Sequence, residues 1–190
     1  MIGLKVIMGD PVRKHDPFGI VGAQYNLTKH KIQFKLAKEF AKTPYGTVAK
    51  YLTKVHDTIN PNFMGIETNN RGVRVLKLYQ EKYNMVWLHG VNTSANLTEE
   101  TRSKGYSMDK PYMVKWFAQR QQEDFFELPD ITGKDMQTLI DQIPQIAAIP
   151  TANGSITYKA QRGRHDDLFM AALHCCNFVR LFIKQQEKLR

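Results

Sequence analysis

The sequence has few cysteines, and the two that it has are neighbours. Cys175 and Cys176 are the only cysteines among the 190 residues. They lie in a stretch whose apolar residues repeat at helical spacing, so their side chains point about 100° apart on the predicted helix. A disulfide framework and a zinc site are therefore not expected, and a reducing compartment is the simplest inference.

Long apolar runs are missing as well. No stretch of about 18 uncharged apolar residues occurs, which excludes a transmembrane helix. The apolar start of the chain, residues 1–10, is too short and is interrupted too soon to be a signal peptide. A phosphate-binding P-loop is also absent, because Gly133-Lys134 is followed by Asp135 and lacks the upstream glycine. We therefore expect that this chain carries no P-loop ATPase.

Acidic residues are outnumbered by basic ones. The chain has 27 Lys and Arg against 18 Asp and Glu, a net charge of +9. This balance favours a polyanionic partner, nucleic acid before an anionic membrane surface, although a basic surface also serves solubility alone. Apolar residues make up 42% of the chain, which is ordinary for a globular protein of one domain.

The apolar pattern predicts one mixed α/β domain over residues 1–190. Strands are predicted at residues 4–8, 18–25, 31–36, 63–67 and 85–88, with an edge strand at 156–159. Helices are predicted to begin at Pro44 and near residues 72, 110, 136 and 166, and residues 92–107 are predicted to form a mobile loop. Three early strands followed by alternating helices and strands predict a central sheet covered by helices on both faces.

Acidic residues lie at the ends of three predicted elements. Asp10 closes the first strand, Glu67 closes the fourth, and Asp166-Asp167 open the last helix. If the first and fourth strands are parallel neighbours, Asp10 and Glu67 emerge at one edge, where ligands of open α/β sheets gather. The last helix can bring its first turn there. Converging carboxylates repel one another unless cations neutralise them, and such oxygen ligands select Mg²⁺ or Mn²⁺.

Each acidic residue also has an ordinary structural explanation. Asp10 suits a turn after a strand, and an aspartate at the start of a helix, such as Asp166, favours the helix dipole without any chemistry. Glu67 is harder to explain in this way, because a carboxylate in an interior strand needs a partner.

Three segments carry a family resemblance. They are Gly9-Asp10-Pro11 with Asp16, residues 65–72 around Glu67, and residues 163–173. In this order they resemble the motifs of the nuclease domain of viral large terminase subunits, found in tailed phages and herpesviruses, which cut concatemeric DNA for packaging. Residues 109–116 and 125–129 are similar to the family's link between the second and third motifs. The resemblance therefore covers nearly the whole chain.

The resemblance implies a ribonuclease-H-like fold and a metal-dependent endodeoxyribonuclease. The implied acidic triad is Asp10, Glu67 and one of Asp166 or Asp167. Asp167 is favoured as the direct ligand, because residues four and eight positions later continue the buried stripe of the helix. Asp166 stays as a neighbour or alternate ligand. Asp16 is similar to an additional acidic position of some members, and an Asp-Pro turn explains it equally well.

The mechanism implied by the resemblance is phosphodiester hydrolysis by two Mg²⁺ or Mn²⁺ ions about 4 Å apart. One ion would activate a water for in-line attack, and the other would stabilise the leaving 3′ oxygen. His165 is expected to orient a water or steer the phosphate, or else it is a simple surface histidine.

Basic residues near the acidic positions are candidate contacts to the phosphates of double-stranded DNA. Cations around a carboxylate cluster let the site approach a polyanion that it would otherwise repel. No pattern for sequence-specific readout is present. The candidates are Arg71, Arg74, Arg162 and Arg164, with Arg102 and Lys104 in the polar loop that is expected to cover the DNA.

One departure from the family concerns the ATPase that usually precedes this domain. We expect the motor and the portal to be separate or excised partners, no membrane partner, and a location in the cytoplasm or nucleus of an infected host cell. The alternatives are a Holliday-junction resolvase acting as a dimer, a nucleic-acid-binding protein without catalysis, and a structural assembly protein.

Overall fold

A seven-stranded mixed sheet organises the chain in the computed structural model. The structure describes residues 3–11, 18–69, 72–94, 107–129, 133–150, 156–161 and 165–189. The strands are β1 Lys5–Asp10, β2 Phe18–Asn26, β3 Lys31–Phe40, β4 Phe63–Glu67, β5 His89–Ser94, β6 Ser107–Asp109 and β7 Phe126–Glu127. Their order across the sheet is β6-β5-β4-β1-β2-β3-β7.

Helices cover both faces of this sheet, as the order of the elements predicted. The helices are α1 Tyr45–Ile59, α2 Gly72–Tyr83, α3 Lys110–Gln122, α4 Lys134–Gln142 and α5 Asp167–Lys188. A 3-10 turn, Ile143–Gln145, leads from α4 into a separate two-stranded sheet of β8 Ile146–Pro150 and β9 Ile156–Ala160. Within the described part of the chain, no helix is long and apolar enough to cross a bilayer.

The centre of the sheet joins an antiparallel half to a parallel half. Strands β1, β2 and β3 form an antiparallel meander, whereas β4 runs parallel to β1 and continues into parallel β5 and β6. Met8 pairs with Gly65 and Gly9 pairs with Ile66. The first and fourth strands are therefore parallel neighbours, and their carboxyl ends lie at one edge of the sheet.

Alternation along each strand divides the core into two clusters. Val6 and Met8 of β1 face α5, whereas Ile7 faces α1 and α2 together with Met64 and Ile66 of β4. Since side chains alternate with a period of two, the four strands β1 to β4 contribute to both clusters. Burying each of these side chains stabilises the fold by about 1.5–3 kcal/mol.

Local signals at the helix ends agree with the predicted boundaries. Pro44 precedes α1, and Asn60 closes it in the left-handed conformation, with its N–H donating to the His56 carbonyl at 2.9 Å. Asp109 caps α3 by accepting a hydrogen bond from the Tyr112 N–H at 3.1 Å.

One predicted strand is wrong, because residues 85–88 form a turn and the strand follows it as β5. Met85 and Leu88 are buried in the apolar cluster between the sheet and helices α1 and α2, which explains their apolar character. Within the turn, the Leu88 N–H donates to the Met85 carbonyl at 3.0 Å. Residues 92–94, predicted to begin a loop, belong to β5, and Ser107, predicted to end that loop, belongs to β6. The remainder of that loop, residues 95–106, lies outside the described residues.

Candidate active site

The ends of β1 and β4 place two carboxylates side by side. Asp10 follows Met8 by two residues, and Glu67 follows Gly65 by two, so both side chains point to the face that α5 covers. Glu67 is buried, and a hydrogen bond joins its carboxyl group to that of Asp10. The register of the parallel pair thus brings together two acids that are 57 positions apart in sequence.

A glycine in β2 makes room for the third acid. Gly19 lies opposite Asp10 in the antiparallel pair of β1 and β2. A Cβ atom at Gly19 would lie 2.7 Å from the carbonyl carbon of Asp167 and 2.8 Å from the backbone nitrogen of Leu168. The first turn of α5 therefore rests directly on the β2 backbone, beside Asp10, and only a glycine permits this approach.

The electrostatics of Asp10 reflect this crowding of carboxylates. Burial raises the pKa of Asp10 well above its usual value of 3.8, and the charges of Glu67 and Asp167 raise it further. The hydrogen bond to Glu67 and the charge of Asp166 act in the same direction. Burial and the neighbouring charges thus favour the protonated form of Asp10, the form that can donate a hydrogen bond to Glu67.

The pKa of Glu67 moves in the opposite direction. Burial alone would raise it, but the neighbouring polar side chains of His174 and Thr93, and the charge of His174 when protonated, lower the pKa of Glu67 to about 2. The hydrogen bond from Asp10 also stabilises the charged form. Of the two carboxyl groups, Glu67 thus favours the ionised form and Asp10 favours the protonated form.

His174 and Thr93 are two site residues that sequence analysis missed. His174 Nε2 lies 2.9 Å from Thr93 Oγ1 and 3.9 Å from Oε2 of Glu67. Thr93 was assigned to a loop because β5 was predicted four residues too early. The signal for His174 is its position seven residues after Asp167, two turns along the same face of the helix.

The two neighbours of Asp167 have different surroundings. Asp166 accepts a hydrogen bond from Lys110 Nζ at 3.1 Å, so its charge is balanced at the start of α3. The imidazole of His165 is half exposed, with Nδ1 3.8 Å from Oδ2 of Asp167. Asp167 is only 13% exposed, in keeping with the predicted orientation toward the sheet, whereas Asp166 is 26% exposed.

The basic candidates are only partly within the described residues. Arg74 is exposed on α2, the helix that follows β4. The other candidates, together with the acidic Asp16, lie outside the described residues: Arg71, Arg102, Lys104, Arg162 and Arg164.

The donor chemistry of the site suits a hard divalent cation. Carboxylate oxygens are the ligands that Mg²⁺ and Mn²⁺ prefer, and buried carboxylates that repel one another are relieved by a cation or by a proton. The raised pKa of Asp10 reflects this repulsion. Among the described residues, no group of three or more histidine, cysteine or acidic side chains is already arranged to hold a metal ion. A cation bound there would compete with a proton for the Asp10 carboxylate.

Solved phage proteins share this architecture. The g2p large terminase nuclease domain of bacteriophage SPP1, solved with bound Mn, has a TM-score of 0.60 and 12% identity, with 91% of this chain and 85% of that chain covered. For the nuclease domain of the large terminase subunit gp2 of bacterial virus Sf6, the TM-score is 0.64 at 14% identity, with 93% and 88% covered. The large terminase nuclease of thermophilic phage G20c gives 0.60 at 13% identity, with 90% and 80% covered.

This chain has the fold of a terminase nuclease domain. The ribonuclease-H-like fold predicted from three sequence segments is thereby confirmed. No protein-family model matches the chain, and no curated protein matches it in sequence. The likeness therefore lies in the arrangement of strands and helices.

Proposed function

We propose that the chain is a metal-dependent endonuclease that cuts concatemeric viral DNA for genome packaging. The observation that carries the proposal is the convergence of Asp10, Glu67 and Asp167 at one sheet edge. The fold supports it, since the similar domains are nucleases and have been solved with Mn in SPP1, with magnesium in G20c and with calcium in Sf6.

In this proposal Asp10, Glu67 and Asp167 hold two Mg²⁺ or Mn²⁺ ions, which would activate a water and stabilise the leaving 3′ oxygen of a phosphodiester. Asp10 releases its proton to become a ligand, and Glu67 is already ionised. Lys110 holds the Asp166 carboxylate, which leaves Asp167 as the ligand of choice from α5. His165 lies at the rim, where it would steer a phosphate or orient a water.

Double-stranded DNA is the proposed substrate. The net charge of +9 compensates the repulsion between phosphates and the acidic site. Arg74 on α2 is the described candidate for a phosphate contact, and we propose Arg71, Arg102, Lys104, Arg162 and Arg164 as further contacts. DNA translocation would require an ATPase and a portal, which we propose as partners in the infected host cell.

Plasmid digestion tests the proposed function. We expect the protein to nick and linearise supercoiled DNA with Mn²⁺ or Mg²⁺ and to be inactive in EDTA. Asp10→Asn should slow cleavage at least about 100-fold, since several kcal/mol of charge stabilisation are lost. Asp57→Asn is the matched control, because Asp57 lies exposed on α1, away from the site. Equal cleavage by Asp10→Asn would contradict the proposal, and preferential cutting of a four-way junction would favour a resolvase.

A further inference from the structure

Two side chains outside the acidic triad hold Glu67 from the side away from Asp10. Thr93 lies in β5, the strand next to β4, and its side chain points to the same face as Val91 and Glu67. His174 lies on the face of α5 that packs on the sheet. His174 Nε2 lies 3.9 Å from Oε2 of Glu67 and 2.9 Å from Oγ1 of Thr93, and both side chains stabilise the ionised Glu67 carboxylate.

The direction of these hydrogen bonds follows from the number of available hydrogens. The Thr93 hydroxyl has one hydrogen, which it donates to the carboxylate of Glu67. Its oxygen is then free to accept from His174, which corresponds to the imidazole tautomer with its hydrogen on Nε2. The result is a chain of donors from His174 through Thr93 to Glu67, with Oε2 of Glu67 only 3.9 Å from the same Nε2.

The burial of His174 points to a role beyond packing. His174 is 1% exposed, and it alone among the histidines that the structure describes is buried. Its neighbours Leu173, Cys175 and Cys176 are fully buried as well. An imidazole in such surroundings costs free energy unless its polar atoms are satisfied, and an aliphatic residue would pack there at a lower cost.

We propose that His174 is a positioning residue that, together with Thr93, fixes the carboxylate of Glu67 for binding divalent cations. The inference rests on the proposed nuclease function. It assigns α5 two tasks: Asp167 is a ligand at its first turn, and His174 orients the ligand from β4 two turns later. Partners that orient a metal ligand typically change metal affinity by about 10–100-fold when they are removed.

A purely structural role for His174 makes a different prediction. His174 and Thr93 also connect α5 to β5, so their loss could weaken packing alone. In that case the variants would be less stable, but the folded fraction would bind cations as the unchanged protein does. Three substitutions separate the two roles. His174→Leu removes the donor, His174→Gln keeps a nitrogen donor on a side chain of similar reach, and Thr93→Val removes only the hydroxyl.

The test is Mn²⁺ binding to the whole chain, measured by titration calorimetry without DNA. We expect His174→Leu and Thr93→Val to weaken Mn²⁺ binding by about 10–100-fold, and His174→Gln to stay within a few-fold of the unchanged protein. Thr53→Val, at an exposed position on α1, is the control for the change of threonine to valine. Saturating Mn²⁺ should restore DNA cleavage by Thr93→Val, because that variant keeps every proposed ligand.

Two results would overturn the inference while leaving the proposed function intact. One is unchanged Mn²⁺ affinity in both His174→Leu and Thr93→Val. The other is a loss in His174→Gln as large as that in His174→Leu, which would assign His174 a packing role. If His174→Leu does not fold, Thr93→Val and His174→Gln decide the matter. Failure of the unchanged protein to bind Mn²⁺ would overturn the proposed function itself, and this inference with it.

Discussion

The two faces of the central sheet are built by the same strands but contain different chemistry. On the face covered by α1 and α2, the buried core is made of apolar and tyrosine side chains, among them Ile7, Ile66 and Leu52. On the face covered by α5, the apolar pattern of β1 ends in Asp10, and the neighbouring strands add Glu67 and Thr93. One face therefore stabilises the sheet, and the other also carries the candidate site.

This difference shows how an apolar core determines the positions of the acids. A shift of one residue in the pairing of β1 and β4 would turn Asp10 to the α1 and α2 face and Ile7 to the α5 face. Exposing or misplacing the apolar set on one face is costly, so that face fixes the register. The carboxylates on the other face then converge, although their mutual repulsion opposes it.

The largest expected effect separates Asp167 from Asp166. Asp167→Asn should reduce Mn²⁺-dependent DNA cleavage at least about 100-fold, because it removes a proposed ligand. Asp166→Asn should change it by only a few-fold, since Lys110 already holds that carboxylate. The initial rate of plasmid nicking by each variant measures its effect on cleavage. A larger loss in Asp166→Asn would mean that the other aspartate of the pair is the ligand.

A substitution on the face covered by α1 and α2 should change the stability of the protein and leave its Mn²⁺ binding unchanged. Leu52 is buried between α1 and the sheet, and Leu52→Ala should lower the free energy of unfolding by about 2–5 kcal/mol. Urea unfolding measures this loss. At a temperature where the variant is still folded, its Mn²⁺ affinity should equal that of the unchanged protein. A weaker Mn²⁺ affinity would show that the two faces are not independent.

Two glycines of β2 provide a matched pair between the faces. A Cβ at Gly19 meets backbone atoms of Asp167 and Leu168, whereas a Cβ at Gly22 meets side-chain atoms of Leu36 and Ile7. Overpacking costs about 1–3 kcal/mol in either case, but only Gly19→Ala pushes the third acid away from Asp10. We expect weaker Mn²⁺ binding in Gly19→Ala and not in Gly22→Ala. Equal Mn²⁺ affinities would show that α5 shifts without moving the Asp167 carboxylate.

The smallest expected effect is a pH-dependent gain in stability. Because the pKa of Asp10 is raised above 3.8, the folded protein loses stability as pH rises above this value and Asp10 ionises in the unfolded chain. Asn cannot ionise, so metal-free Asp10→Asn should be more stable than the unchanged protein at pH 8, with no difference at low pH. Urea unfolding at several pH values tests this, and a less stable variant at pH 8 would contradict it.

Glu67 should have the opposite effect on the pH dependence of stability. The pKa of Glu67 is lowered from 4.5 to about 2, so its contribution to stability is present above pH 4.5 and is lost as pH falls toward 2. In Glu67→Gln, that part of the acid-induced loss of stability should be absent. Urea unfolding of Glu67→Gln at several pH values measures this difference. If Glu67→Gln loses as much stability at low pH as the unchanged protein does, the result would argue against an ionised Glu67.

Much of this architecture follows from local sequence patterns, and the failures have physical causes. The positions of Asp10 and Glu67 at strand ends predicted that they emerge at one edge of the sheet, and the helical stripe after Asp167 predicted that its side chain faces the sheet. The position of β5 was wrong, because apolar residues such as Met85 serve a buried turn as well as they serve a strand. Strand β8 was not predicted. Its residues pair only with β9, away from the central sheet.

The contacts of Thr93 and His174 in the site could not be predicted from the sequence. Thr93 becomes a neighbour of Glu67 only through the pairing of β4 with β5, which no local pattern specifies. His174 sits in a helix whose surrounding residues are apolar, and its contact with β5 depends on how α5 packs across the sheet. Long-range register and packing, rather than residue type, determine both contacts.

The most direct measurement is anomalous diffraction from a crystal of this protein soaked in Mn²⁺. We expect an anomalous peak bound by carboxylate oxygens of Asp10, Glu67 and Asp167 at the shared edge of β1 and β4. A peak at another place on the protein, or none at this edge with Asp10 and Glu67 still hydrogen-bonded to each other, would contradict it.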